Sequence, residues 1–120
     1  MPKLDSDAGS QGVRSRSVPA GAAVEYCVLA SLRAGASYGR DIARRLSADG
    51  VLMSGEGTLY PLLARLRKSG LVETHWQEST SGPPRRYYAL TGEGEQALEV
   101  FIRAWSPFRD AVDSNLGDDE

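Results

Sequence analysis

The sequence has 120 residues, 41% hydrophobic and 25% charged, enough for one modest core and too little for two domains. Its single cysteine, Cys27, excludes an internal disulfide and a multi-cysteine zinc site, and it has no apolar run of about 18 residues to span a bilayer. The net charge of −2 hides a split: residues 33–91 carry nine Lys/Arg against five acids, and residues 92–120 carry two arginines against eight acids, the pattern of a protein that grips an anion with one part only.

Residues 1–18 are polar, with Gly, Ser and mixed charges, and are expected to form a disordered arm, a plain flexible tail or, alternatively, one whose Arg14 and Arg16 touch the groove of a polyanion. The arm has no signal-peptide apolar region, so a reducing, cytoplasmic setting is expected. From Pro19 the pattern changes. Val24, Cys27, Val28, Leu29 and Leu32 recur at helical spacing until Gly35, which predicts a first helix over 20–34 with Cys27 as a small core residue. Ser37 is positioned to cap a second helix whose apolar stripe is Tyr38, Ile42, Ala43 and Leu46, with Arg40, Arg44 and Arg45 off that stripe. Asp49-Gly50 reads as a turn and Val51-Leu52-Met53 as a short apolar link.

Ser54 opens the next segment, in which Leu59, Leu62, Leu63 and Leu66 fall on one face of a third helix and Gly70 is a C-terminal stop. Pro61 is disfavoured in a helix interior, which points to Thr58 as the N-cap and Pro61 in the first turn. Two strand-like runs follow, Leu71–Glu78 and Arg86–Leu90, separated by the turn-rich Ser-Thr-Ser-Gly-Pro-Pro-Arg stretch. They predict a hairpin with a Gly/Pro tip and a basic shoulder. Thr91 then caps a long last helix in which Leu98, Phe101, Trp105, Phe108 and Val112 are spaced 3, 4, 3 and 4 apart, as in a helix–helix seam. Pro107 predicts a kink or a one-turn defect there.

Three short helices, a hairpin and a long helix make a mainly α (α+β) chain, a winged helix-turn-helix with a two-stranded wing and a long C-terminal dimerisation helix. In such a layout the third helix lies in the major groove of DNA. With its leucines inward, that helix shows Gly57, Pro61, Ala64 and Lys68 outward, flanked by Thr58, Tyr60, Arg65 and Arg67. Small residues let the backbone approach base edges, and hydroxyls and cations beside them reach bases or phosphates. Gly82, Pro83 and Pro84 form a slim tip with Arg85 and Arg86 behind it, suited to phosphate or minor-groove contact. The Tyr38 hydroxyl, at a helix N-terminus, suits a phosphate; the ring equally suits a core position.

These blocks carry a resemblance. Tyr38-Gly39, Gly57-Thr58-Leu59-Tyr60-Pro61-Leu62-Leu63-x-Arg65-Leu66, Ser69-Gly70-Leu71-Val72 and Gly82-Pro83-Pro84-Arg85-Arg86-Tyr87-Tyr88-x-Leu90-Thr91-x-x-Gly94 resemble the PadR family of transcriptional regulators, over about residues 24–112. The resemblance implies a winged-helix homodimer that represses transcription at an inverted-repeat operator in double-stranded DNA. Tyr38, Arg40, Ser54, Gly57, Thr58, Tyr60, Pro61, Arg65, Lys68, Gly82, Pro83, Arg85 and Arg86 are then the DNA-contact candidates. Val24, Val28, Leu98, Phe101, Trp105, Phe108 and Val112 are the dimer candidates. The chain is similar to the small branch of the family with one C-terminal helix, whose multidrug-sensing members stack flat aromatic effectors on a tryptophan of that helix. Trp105 matches that place, although a seam tryptophan also serves as plain dimer core, and Pro107 and Phe108 depart from the sensor pattern.

The expected organisation is an arm over 1–18, a DNA-binding domain over 19–91, a dimerisation helix over 92–116 and an acidic tail over 117–120. Catalysis has little to build on. His75 is the only histidine, in a strand away from the cysteine, so neither an enzyme, a metal site nor a cofactor is expected. The rival reading is a winged helix that binds protein, which the acidic total favours and the basic middle disfavours.

Overall fold

The computed structural model describes residues 22–117; the expected N-terminal arm and the end of the acidic tail lie outside the described residues. The elements in chain order are α1 (Ala23–Ser31), β1 (Ser37–Tyr38), α2 (Gly39–Leu46), α3 (Glu56–Lys68), β2 (Val72–Ser79), β3 (Gly82–Leu90) and α4 (Gly92–Leu116). The strands form one antiparallel sheet in the order β1-β3-β2.

The helical periodicities resolve into one core. Val28, Leu29 and Leu32 from the α1 region meet Ile42 and Ala43 of α2, Leu59, Leu63 and Leu66 of α3, and Val72, Tyr88 and Leu98. Met53 of the apolar link joins them, while Val51 and Leu52 face solvent. Burial raises the Cys27 thiol above its usual pKa, which leaves it a weak nucleophile.

Three expectations about caps and element boundaries are corrected. Ser37 does not cap α2. It lies in β1, paired with Tyr88 of β3, and the N-cap position passes to Tyr38 without a side-chain bond. The buried Ser37 hydroxyl accepts from Arg45 Nη2 at 3.0 Å and donates to Asp41 Oδ2 at 3.3 Å. Arg45 Nη1 also donates to the Ser31 carbonyl at 3.2 Å, so this arginine ties the end of α1 to the start of α2. Secondly, α3 starts three residues earlier than its proline suggests: Gly55 is the N-cap, and Thr58 and Pro61 are both inside the helix. Pro61 is solvent-exposed; it gives up the amide bond to the Gly57 carbonyl and crowds that oxygen, a cost that the helix carries about one and a half turns from its start. Thirdly, Gly82–Arg85 are not the tip of the hairpin but belong to β3; the turn is Thr80-Ser81. The prolines fit a strand here because the register shifts between Gln77 and Ser79, a bulge where the ladder needs no amide from them.

The end of α3 is a Schellman motif, with Leu71 N–H donating to Leu66 O at 2.9 Å and Gly70 N–H to Arg67 O at 3.0 Å. Directly behind it sits the start of α4. Thr91 Oγ1 accepts from Gly94 N–H at 3.0 Å and donates to Gly70 O at 2.7 Å, while Thr91 N–H donates to Leu71 O at 3.1 Å. A cap of this kind contributes about 1 kcal/mol. Here it also welds α4 to the α3–β2 corner.

Of α4, only Gly94 and Leu98 are fully buried. Val28 and Leu98, expected in a dimer seam, are instead interior to the single chain, at 0% and 3% exposure, both within its one core cluster. Beyond it Phe101 stacks on Tyr26 of α1, centroids 4.2 Å apart, and Trp105 and Phe108 continue the row at 5.5 and 5.9 Å. Helix α4 runs on through Pro107 to Leu116, with Val100, Ile102, Val112 and Leu116 exposed. Among the described residues no helix is long and apolar enough to cross a membrane.

Candidate nucleic-acid interface

Alternation along the hairpin decides which side chains reach the surface between wing and helices. Val72 pairs with Leu90, Thr74 with Tyr88 and Trp76 with Arg86, so these residues share one face of the sheet. At its root this face is core; at its outer end it carries the exposed Trp76 and Arg86. The opposite face carries Tyr87, Arg85 and, through the pairing of Tyr38 with Tyr87, the ring of Tyr38.

The wing, the start of α2 and the exposed side of α3 enclose a cleft of about 460 Å³. Seven of the sequence candidates line it: Tyr38, Arg40, Tyr60, Gly82, Pro83, Arg85 and Arg86. Trp76 also lines it, a position sequence reading did not single out; the signal was the inward alternation Val72, Thr74, Trp76, which ends in a large ring with no core left to enter. Gly57, Thr58, Pro61 and Lys68 stand exposed on α3 outside the cleft, as does Ser54 in the preceding loop.

Two contacts build the cleft. Tyr60 lies across Gly39: a Cβ on Gly39 would sit 2.7 Å from Tyr60 Cε1 and from its hydroxyl. The Tyr-Gly pair and the Thr-Leu-Tyr-Pro block, 20 residues apart in sequence, are thus two halves of one packing contact. Desolvation first, and then the Glu56 carboxylate, push the Tyr60 phenol above its usual pKa, so at neutral pH it is a protonated hydroxyl able to donate. The second contact is aromatic seating of the wing cations. Arg85 lies over the Tyr38 ring at 4.4 Å and Arg86 over the Trp76 ring at 5.1 Å.

The other candidate cations are differently engaged. Arg65 Nε donates to Glu25 Oε2 of α1 at 3.1 Å, and its Nη2 pairs with the same oxygen, although the side chain stays largely exposed. Arg40 pairs with Glu56 at 3.7 Å. Arg44 and Arg45 both bind Asp41. Among the described residues no cluster of three or more His, Cys, Asp or Glu side chains is arranged to hold a metal.

Comparison with known proteins gives the same frame. Residues 28–100 match the model of the Transcriptional regulator PadR-like family. A PadR-like transcription factor from Bacteroides fragilis is 37% identical, with a TM-score of 0.65 over 90% of this chain and 98% of its own. A PadR family transcriptional regulator from Eggerthella lenta is 31% identical, with a TM-score of 0.69 over 93% of this chain and 94% of its own. PadR of Bacillus subtilis, solved in complex with operator DNA, is 23% identical, with a TM-score of 0.59 over 66% of this chain and 46% of its own, a likeness of fold.

Proposed function

The chain belongs to the PadR-like family of transcriptional regulators, and we propose that it acts as a homodimeric repressor that binds an inverted-repeat operator in double-stranded DNA. The observation that carries the reading is the cleft, where a phenol hydroxyl from the recognition helix and two wing guanidiniums face one space. A hydroxyl beside an exposed small-residue helix face suits base edges in the major groove, and guanidiniums on a hairpin suit phosphate. That Bacillus subtilis PadR was solved in complex with operator DNA supports the same partner.

The dimer is supported by α4. An isolated chain leaves Val100, Ile102, Val112 and Leu116 in water beside a half-buried aromatic row, and a second copy relieves that cost. A twofold pair presents two recognition helices about 34 Å apart, one DNA turn, which makes the operator an inverted repeat. The row Phe101–Trp105–Phe108 is also the place for a flat aromatic effector, which would stack on Trp105 and release DNA by changing that separation. The proposed setting is the cytoplasm. The proposed division is a DNA-binding domain up to Thr91 and a dimerisation helix after it.

The test is binding to the duplex upstream of the protein's own gene at two salt concentrations. Tight, salt-sensitive binding is expected. Arg86→Ala should weaken binding to operator and random duplex alike and reduce the slope of log K against log salt by about 0.9. Tyr60→Ala should cost operator binding about tenfold or more while random duplex loses little. Equal losses on both duplexes for both variants would refute this division of roles. No binding to any duplex at low salt by a folded dimer would turn the reading to a protein partner.

Val112→Asp should convert the dimer to a monomer in sedimentation, because it places a carboxylate in an apolar seam. Its wild-type side chain is 38% exposed in the single chain, so the fold should survive. A Val112→Asp dimer would exclude this part of α4 from the seam.

A further inference from the structure

We propose that Trp76 is a positioning residue of the wing, an aromatic seat that holds the Arg86 guanidinium in readiness for a DNA phosphate. The proposal rests on the DNA-binding reading and assigns a role to a residue that reading does not require.

Three observations carry it. Trp76 is 64% exposed, on a sheet face whose inner residues, Val72 and Tyr88, are buried. A large ring left in water at that point contributes little to the core. Its cross-strand partner is Arg86, whose guanidinium carbon lies 5.1 Å from the ring centroid, within the range of a cation–π contact.

The third observation is the contrast with the other arginines. Arg40, Arg44, Arg45, Arg65, Arg103 and Arg109 each pair with a carboxylate. Among the described residues Arg33, Arg67, Arg85 and Arg86 have no carboxylate partner, and of these four it is Arg85 and Arg86 that rest on aromatic rings. The two kinds of contact have opposite consequences. A carboxylate occupies part of a guanidinium's N–H edge and offsets its charge. An aromatic face takes the flat side of the group and leaves the charge and the N–H edge open. A seated guanidinium has also lost much of its rotamer freedom before an anion arrives, so binding costs less entropy. The cleft between wing and Tyr60 is the space into which that open edge is offered.

The experiment uses the full chain and a mixed-sequence duplex, because a phosphate contact needs no operator. Trp76→Leu should weaken binding three- to tenfold, roughly the range of one cation–π contact. The salt slope should stay unchanged, since Arg86 and its charge remain. Trp76→Phe should restore most of the affinity. In an Arg86→Ala background Trp76→Leu should have no further effect. Unchanged affinity in Trp76→Leu would overturn the proposal, and so would additive losses, which would mean that the indole acts without Arg86. A readout without DNA accompanies these: the Arg86 Nε–Hε resonance should be shifted by the indole ring current in the wild type and relax in Trp76→Leu. A free-arginine resonance in the wild type would overturn the seat whether or not DNA binds. A shifted resonance in a protein that binds no duplex would overturn the DNA-binding function and with it the role given to Trp76.

Discussion

Gly94→Ala should destabilise the protein by about 3 kcal/mol or more, lowering the melting temperature by at least about 10 °C. A Cβ on Gly94 would stand 2.1 Å from the carbonyl oxygen of Leu71 and 3.0 Å from Leu90 Cδ1. The first of these atoms is backbone and has no rotamer by which to yield. It is also fixed in place, since Leu71 O accepts the Thr91 N–H while Leu71 N–H closes the end of α3. Relief therefore means moving α4 off the α3–β2 corner. That breaks the Thr91 cap and withdraws Leu98 from the core. Gly92→Ala is the control: nothing lies within 4 Å of its added Cβ, and it should be neutral or slightly stabilising. Thermal or denaturant unfolding of both variants checks the prediction. A Gly94→Ala protein as stable as the wild type would mean that this corner is loose. Because α4 carries the proposed seam, partial unfolding should also appear as loss of the dimer.

Gly39→Ala should do the reverse, leaving the fold and damaging the interface. The three atoms nearest its added Cβ all belong to the far end of the Tyr60 side chain, with Cζ at 2.9 Å, and that ring can swing away. Alanine at the first position of α2 favours the helix, so stability should change by no more than about 1 kcal/mol. Operator affinity should fall about tenfold or more, because the hydroxyl leaves the position the cleft provides. The effect should vanish in a Tyr60→Ala background, since both changes then remove one contact. Operator binding measured on the four proteins of this cycle decides it. Wild-type affinity in Gly39→Ala would show that the position of Tyr60 does not matter to recognition. Additive losses would assign Gly39 a separate role.

Much of this protein is settled by local pattern. The apolar spacing of α1, α2 and α3, the stop at Gly70, the cap at Thr91 and the hairpin were all legible in the sequence, because helix period, strand alternation and capping chemistry act over a few residues. The family was legible too, because its motifs are contiguous blocks. The tertiary structure decided what distance in sequence conceals. β1 is two residues long, with no propensity signal, and exists only because β3 offers it an edge. Leu98 has the spacing of a seam, and Val28 is a dimer candidate by resemblance, yet both belong to the core of the single chain. Arg65 and Arg86 are alike as letters; one is paired with Glu25 from 40 residues away and the other rests on a cross-strand indole. Period and propensity report which face of an element is apolar. Which charge stays open to an anion depends on the neighbour that the fold brings to it, and that neighbour is set by long-range packing alone.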